Sequence, residues 1–534
     1  MQASVIIPAY NSANNIGATA RAAREIPDVS QVIVVDDGSA DSTAEAARLA
    51  EADVVLALPR NVGKGGAMAA GLTAAQHDVV LFLDADLGAS ARLAGPLLEA
   101  VRGGAAISVA KFPSLRGGGG FGLARGLADA AIRLLGGVSV TAPLSGQRAM
   151  RAEVLKHLGF ASRFGVETAM TAEAAHLGLS VVEVPLPLEH RPTGRTLAGF
   201  AHRARQFKDI LRYLTLAAYG LGWPALPAGR TAVRVLVWMA AMALVVALGA
   251  LASPPASALL AGTIACGIIL WLPCLWASTV WLRLRKPNYL GRSLPAAAGL
   301  LFPIVALPMV PLSLLSRGER LAALIVVAVF GAVGLLDDLF ARRRQARGLR
   351  GHLAALLRGK LTTGTIKAGG GLAAGFAAGS LLAPHQPLIA VLNALLIALA
   401  ANTINLLDLR PGRAIKGFAV MSALAIAASR NSVHLLGPTL TLAAAVAPAE
   451  FAGRVMLGDV GANVLGGVAG VALVSALSPG ERVAAVVVLA AFHMLCERVS
   501  FSLLVARSRP LRALDGLGTA HLLPLPTSGG EGAP

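Results

Sequence analysis

The chain has 534 residues, 55% of them hydrophobic and only 14% charged, with a mean hydropathy of +0.67. Soluble domains carry about 25% charged residues, so the composition excludes both a wholly soluble protein and a disordered one. The net charge of +18 sits largely on Arg beside apolar runs, the pattern of loops on the inner side of a membrane, and does not point to nucleic acid.

The first 230 residues read as alternating strands and helices. Val5–Pro8, Gln31–Val35 and Val79–Leu83 are short β-branched apolar runs, and Asn15–Glu25 has helical character. This rhythm predicts a mostly parallel sheet covered by helices, in which ligands sit beyond the carboxyl ends of the strands. Leu197–Leu214 carries His202, Arg203, Arg205, Lys208 and Arg212 among apolar residues, which predicts a basic amphipathic helix on a membrane surface. Ten apolar stretches follow, from Thr231–Leu251 to Val483–Val505. Several approach the roughly 20 residues needed to span a bilayer. The fold expected is an α/β domain followed by an all-α polytopic membrane domain of about ten transmembrane helices. The expected divisions are 1–215, a linker at 216–230, membrane at 231–506, and a disordered tail at 507–534. The start, MQASVIIPAYN, lacks the basic stretch and long apolar run of a secretion signal. Together with the basic loops, this predicts a cell-membrane protein whose first domain and both termini are cytoplasmic. Cys266, Cys274 and Cys496 fall in apolar segments with no disulfide or zinc spacing.

Acidic residues mark the chemistry. The strand Gln31–Val35 runs into Asp36 and Asp37, and Val79–Leu83 runs into Asp84 and Asp86. Two carboxylates one residue apart at a strand end suit a divalent cation through hard oxygen ligands. From Thr231 onward the chain has ten acids and four lysines. Asp337, Asp338, Asp408 and Asp459 lie at the ends of apolar stretches, where ionisable groups are costly and mark function.

The motifs VIIPAYN (Val5–Asn11), VVDDGSADST (Val34–Thr43), RNVGKGGAMAAG (Arg60–Gly71) and LDADL (Leu83–Leu87) resemble those of family 2 glycosyltransferases, which adopt the GT-A fold. That resemblance implies a nucleotide-sugar site lined by Pro8, Tyr10, Asp36 and Asp37. It puts Lys64 near the phosphates, and Asp84 and Asp86 on a divalent metal (Mg2+ or Mn2+). PLSGQRAMR (Pro143–Arg151), FGVET (Phe164–Thr168) and HRPTGR (His190–Arg195) look like polyprenyl-phosphate hexosyltransferases and glucosyl-3-phosphoglycerate synthases. They imply Gln147, Arg148, Arg191 and Arg195 as acceptor ligands, Glu167 as a group orienting a sugar hydroxyl, and His190 closing the metal site.

In the second half, LLDDLFARRR (Leu335–Arg344), NTINLLD (Asn402–Asp408), VMLGDVGANVLGG (Val455–Gly467) and KPNYLGRSLP (Lys286–Pro295) resemble the polyprenyl-phosphate sugar-1-phosphate transferases. The resemblance implies Asp337 and Asp338 facing a lipid phosphate, Asp408 beside the nucleotide, and Asp459 on magnesium. Leu409-Arg410-Pro411 stands where that family carries a further Asp, and His493 and Glu497 are the nearest candidates for its His-rich loop. The expected function is a bifunctional membrane enzyme acting on a nucleotide-sugar donor and polyprenyl phosphate or another phosphorylated lipid, in cell-envelope glycan or glycolipid synthesis. The alternative is a catalytic first half on a non-catalytic, lipid-binding or flippase-like second half.

Overall fold

The structure is a computed structural model that describes residues 2–112, 123–158, 165–187, 197–218, 254–276, 284–288, 293–296, 298–340 and 363–517. The expected site residues His190, Arg191 and Arg195 lie outside these, as does the apolar run Thr231–Leu251. The chain forms two compact units, Met1–Ala218 with Gly222–Thr231, and Tyr219–Leu221 with Ala232–Pro534.

The first unit is built on seven strands: β1 (Ala3–Ala9), β2 (Val29–Asp36), β3 (Val54–Ala57), β4 (Val79–Phe82), β5 (Ile107–Lys111), β6 (Arg148–Arg151) and β7 (Val181–Pro185). Their order is β3-β2-β1-β4-β6-β5-β7. β1 to β4 pair in parallel, β6 runs antiparallel to both β4 and β5, and β7 returns parallel to β5. The predicted strands therefore exist, each within two residues of its expected start. Successive side chains of a strand alternate faces, and here both faces are apolar. Val5, Ile7, Val32, Val34, Leu81 and Leu83 enter one core, while Ile6, Ile33, Val35, Val80 and Phe82 enter the other.

Helices cover both faces. α1 (Ala13–Arg24), α2 (Thr43–Leu49), α3 (Lys64–Ala74), α4 (Gly95–Arg102), α5 (Leu123–Gly136), α6 (Ala152–Leu158), α7 (Val166–His176) and α8 (Leu197–Ala218) complete the unit. α1 and α4 pack on the first core through Ile16, Ala20, Leu97 and Val101. α3, α6 and α7 pack on the second through Ala67, Met68, Leu155, Val166 and Met170. Strand order reverses at β1, between β2 and β4. The carboxyl ends of β1 and β4 thus form the crevice where doubly wound sheets bind ligands.

The second unit is helical: α9 (Pro254–Trp276), α10 (Leu301–Met309), α11 (Arg317–Phe340), α12 (Thr363–Leu382), α13 (Pro387–Leu407), α14 (Arg413–Ala428), α15 (Ser432–Phe451), α16 (Gly458–Ala476), α17 (Pro479–Arg498), α18 (Phe501–Arg507) and α19 (Arg509–Gly516), with a small antiparallel hairpin of β8 (Arg285–Pro287) and β9 (Ser293–Pro295). Buried α16 is its centre. Its small residues let neighbours approach closely: Gly466 meets the backbone of Ala400 and Ala401, and Gly467 meets Phe330.

Five helices among the described residues are long and apolar enough to cross a membrane, namely α11, α13, α15, α16 and α17. The expected count of about ten includes the run Thr231–Leu251, which lies outside the described residues, and these five helices do not confirm it. Leu294–Leu315, read as one span, breaks into β9, short α10 and a 3-10 turn at Val310–Leu312. Prolines explain the break, with Pro308 inside α10 and Pro311 just beyond it. Val483–Val505 divides where α17 ends at Arg498, and α14 has only 16 residues. The tail expected to be disordered from 507 instead contains α19, which starts at Ser508, whose hydroxyl accepts the Leu511 N–H.

Candidate functional site

The crevice at β1 and β4 gathers most of the expected residues of the first unit. Asp36 ends β2, and its Oδ1 accepts the Ser39 N–H at 2.9 Å. Asp37 is buried, with both oxygens accepting backbone amides, from Val62 at 2.7 Å and Gly63 at 2.9 Å. Its carboxylate therefore fixes the loop that leads into α3. Pro8 is half-buried in β1, and the Tyr10 side chain is 51% exposed at that strand's end.

Lys64, at the first turn of α3, points its ammonium between two carboxylates, Asp84 Oδ1 at 2.5 Å and Glu167 Oε1 at 2.7 Å. Burial disfavours the Lys64 charge, but Asp84 and Glu167 outweigh it and raise the pKa above that of an ordinary lysine. Gln147 Nε2 donates to Asp84 Oδ2 at 2.7 Å, while Ser145 Oγ donates to Gln147 Oε1 at 3.2 Å. Between them Gly146 passes so close that a Cβ there would lie 2.5 Å from both Asp84 oxygens and from Lys64 Nζ. Glu167, only 3% exposed at the first turn of α7, keeps Oε2 buried without a hydrogen-bond partner. Such an orphaned oxygen is costly alone and suits a ligand donor or cation.

Arg148 departs from expectation. The side chain is 0% exposed, and its guanidinium donates to the backbone carbonyls of Glu167 (3.0 Å) and Ser145 (2.5 Å). Burial lowers its pKa to about 10, with Glu167 and Asp84 opposing the shift. Its guanidinium is enclosed and turned to these carbonyls. It ties the Ser145–Gln147 turn to the start of α7, and so holds the groups that grip Asp84 and Lys64.

Asp84 and Asp86 are half-buried oxygen donors one residue apart, a donor type suited to a hard divalent cation, while both Asp84 oxygens are engaged by Lys64 and Gln147. Among the described residues no group of three or more His, Cys, Asp or Glu is arranged to hold a metal.

Three of the expected carboxylates of the second unit meet at one cluster. Lys286, in β8, contacts Asp338 Oδ1 and lies 2.6 Å from Asp459 Oδ2. Lys367, in α12, lies 2.5 Å from Asp459 Oδ1 and 3.5 Å from Asp337 Oδ2. With its amide oriented to satisfy both neighbours, Asn405 donates to Asp459 at 2.7 Å and accepts from Lys367 at 2.9 Å. Asp338 also accepts the backbone N–H of Asp459 at 3.1 Å. Gly458, at φ +67°, makes this possible, because a Cβ there would approach Asp338 Oδ2 to 2.9 Å. Burial opposes the Lys286 charge, yet Asp459 and Asp338 prevail and raise its pKa. Asp408 caps α13 close enough to Glu450, Asp459 and Lys286 to feel their charges. His493 Nδ1 bonds the Leu489 carbonyl of its own helix at 2.7 Å.

Sequence reasoning passed over Lys367, Glu450 and the pair Arg413–Asp515. Buried Glu450 accepts the Gly412 N–H at 2.6 Å. Arg413 grips Asp515 with two bonds, of 2.6 and 2.8 Å. The signal for Lys367 was present, since the membrane half has only four lysines.

Residues 4–159 match the family described as Glycosyl transferase family 2. The chain carries a family 2 glycosyltransferase domain. Among solved structures, it is similar to glucosyl-3-phosphoglycerate synthase from Mycobacterium tuberculosis in complex with Mg2+ and uridine-diphosphate, at 30% identity over 40% of this chain and 79% of that one, with a TM-score of 0.35. The complex of the same enzyme with Mn2+ and uridine-diphosphate-glucose is 29% identical over 40% and 78%, with a TM-score of 0.34. No curated protein matches the chain.

Proposed function

We propose that the protein is a membrane glycosyltransferase that moves a hexose from a nucleotide sugar to a phosphorylated lipid of the polyprenyl-phosphate type, in envelope glycan or glycolipid synthesis. The observation that carries this reading is the Asp84–Lys64–Glu167–Gln147 cluster at the switch point of a family 2 domain. Asp84 and Asp86 would hold a divalent cation, which when bound neutralises charge on a departing diphosphate. Lys64 supplies a second, fixed positive charge at the same place. Glu167 orients a sugar hydroxyl through its unpartnered oxygen, and Gln147 holds Asp84 in place. Arg191, Arg195 and His190 complete the acceptor and metal contacts on this reading. A phosphate acceptor is already an oxyanion, so the reaction needs no general base.

The second unit is proposed as a sugar-1-phosphate transferase-like half on the same lipid, with Asp337, Asp338 and Asp408 at the reaction and Asp459 on magnesium. Asp337, Asp338 and Asp459 lie in one cluster with two lysines, which supports a diphosphate site there. A second reading, a lipid-binding platform without chemistry, is favoured by the same lysines, because Lys286 and Lys367 already neutralise Asp338 and Asp459.

The test uses the full chain with labelled nucleotide-hexoses and a lipid extract. Label should reach lipid with the native chain and not with Asp84→Asn/Asp86→Asn; equal transfer by that variant sinks the first assignment. Exchange of labelled nucleoside monophosphate into nucleotide sugar, lost in Asp459→Asn, separates the two readings of the second unit. Absence of exchange across several nucleotide sugars selects the platform.

A further inference from the structure

We infer that the outward face of α8 docks on an anionic lipid surface. The helix has two distinct sides. Ile210, Tyr213, Leu214 and Ala217 are buried, and the Tyr213 hydroxyl donates to Glu173 of α7 at 2.9 Å. The other side shows Phe207 (36% exposed) and Leu211 (42% exposed), four residues apart and hence in one row along the helix. Lys208 and Arg212, both exposed, form the adjacent row, with exposed Arg205 one step farther round. Large apolar side chains exposed beside a row of cations are poorly explained by solvation alone. They match the interfacial helix, whose apolar residues enter the acyl boundary while its cations meet anionic head groups.

The chemistry of the partner follows from that charge: Lys208 and Arg212, in one exposed row beside Phe207 and Leu211, call for a negative surface. A membrane is the negative surface this chain meets, because apolar helices able to cross one lie in the same polypeptide. The inward side of α8 supports the candidate site. The Gly165 position that opens α7 would place a Cβ 3.2 Å from the Asp209 carbonyl, and Glu167 stands two residues on. A docked α8 thus holds the helix that carries Glu167.

The test places a photo-reactive amino acid at position 207, at 211, and at exposed Leu49 of α2 as control, in the full chain reconstituted in nanodiscs. Discs of phosphatidylcholine alone are compared with discs containing phosphatidylglycerol, and adducts are read by mass spectrometry. Lipid adducts at 207 and 211, absent at 49, should rise with phosphatidylglycerol. They should fall at least about tenfold in Lys208→Glu/Arg212→Glu and on raising salt to about 0.5 M, which screens the attraction. The salt arm needs no variant. Adducts to protein in place of lipid, or lipid adducts indifferent to anionic lipid and salt, overturn the inference. The readout is an adduct and not turnover, so either outcome leaves the proposed reaction to its own test.

Discussion

Gly146→Ala separates the candidate site from the fold that bears it. The added methyl would sit 2.5 Å from Asp84 Oδ1, Asp84 Oδ2 and Lys64 Nζ, against a comfortable separation of about 3.5 Å. Each of these atoms must retreat by about 1 Å. The 2.5 Å Lys64–Asp84 and 2.7 Å Gln147–Asp84 contacts cannot both survive that movement. A hydrogen bond to a charged group contributes about 1.5–3 kcal/mol, which translates to about a ten- to hundredfold loss in kcat/KM. The atoms that move are the ends of flexible side chains and not backbone, so the first unit should lose no more than the same about 1.5–3 kcal/mol of stability and stay folded. The assay is label transfer from nucleotide-hexose to lipid, run beside thermal unfolding of the purified chain. Native kcat/KM in the variant would refute the placement of Asp84 and Lys64 in the site. A loss of activity explained wholly by unfolding would refute the reasoning about which atoms yield.

Other expectations follow from the same geometry. Arg148→Met takes the donor from the buried Ser145 carbonyl and one of two side-chain donors from that of Glu167, which Thr171 also serves, and should destabilise the first unit by about 1–3 kcal/mol; an unchanged melting temperature would contradict the anchoring role. Lys64 has a raised pKa, so its ion pairs contribute stability below the ordinary lysine value and lose it only as pH climbs through the raised one. The melting difference between native chain and Lys64→Met should therefore stay constant from about pH 7 to pH 10, and a decline within that range would contradict the pairing. Asp515→Ala removes the two Arg413 bonds to α19 and leaves the Arg413–Ser502 bond and the Lys416 bond to the residue 515 carbonyl, loosening α19 at a cost of ~1 kcal/mol. Limited proteolysis should then cut residues 508–517 faster than in the native chain.

The fold of the first unit was legible because its strands bury both faces. Val5, Ile6 and Ile7 have no polar alternate to blur the run, and the acids sit one step past the last apolar residue, where the crevice forms. Local pattern could not reveal Arg148. An Arg after Gln147 looks like a surface cation, and only the packing of α7 over the turn shows that two carbonyls take its guanidinium. The membrane half was legible as composition more than as elements. Hydropathy does not register Pro308 and Pro311, so Leu294–Leu315 reads as one span where the structure has a strand, a short helix and a 3-10 turn. Scarcity was the better guide there: the adjacent Asp337 and Asp338 and the distant Asp459 meet around Lys286 and Lys367. Asp515 was hidden because its partner, Arg413, lies about a hundred residues away on another helix.

The central claim is that the Asp84 site of this chain adds a hexose to a membrane lipid. Mass spectrometry of lipids from cells carrying the native chain, the Asp84→Asn variant or neither tests it most directly. The account predicts one polyprenyl-type lipid heavier by a hexose with the native chain alone. Identical lipid profiles in all three would contradict it.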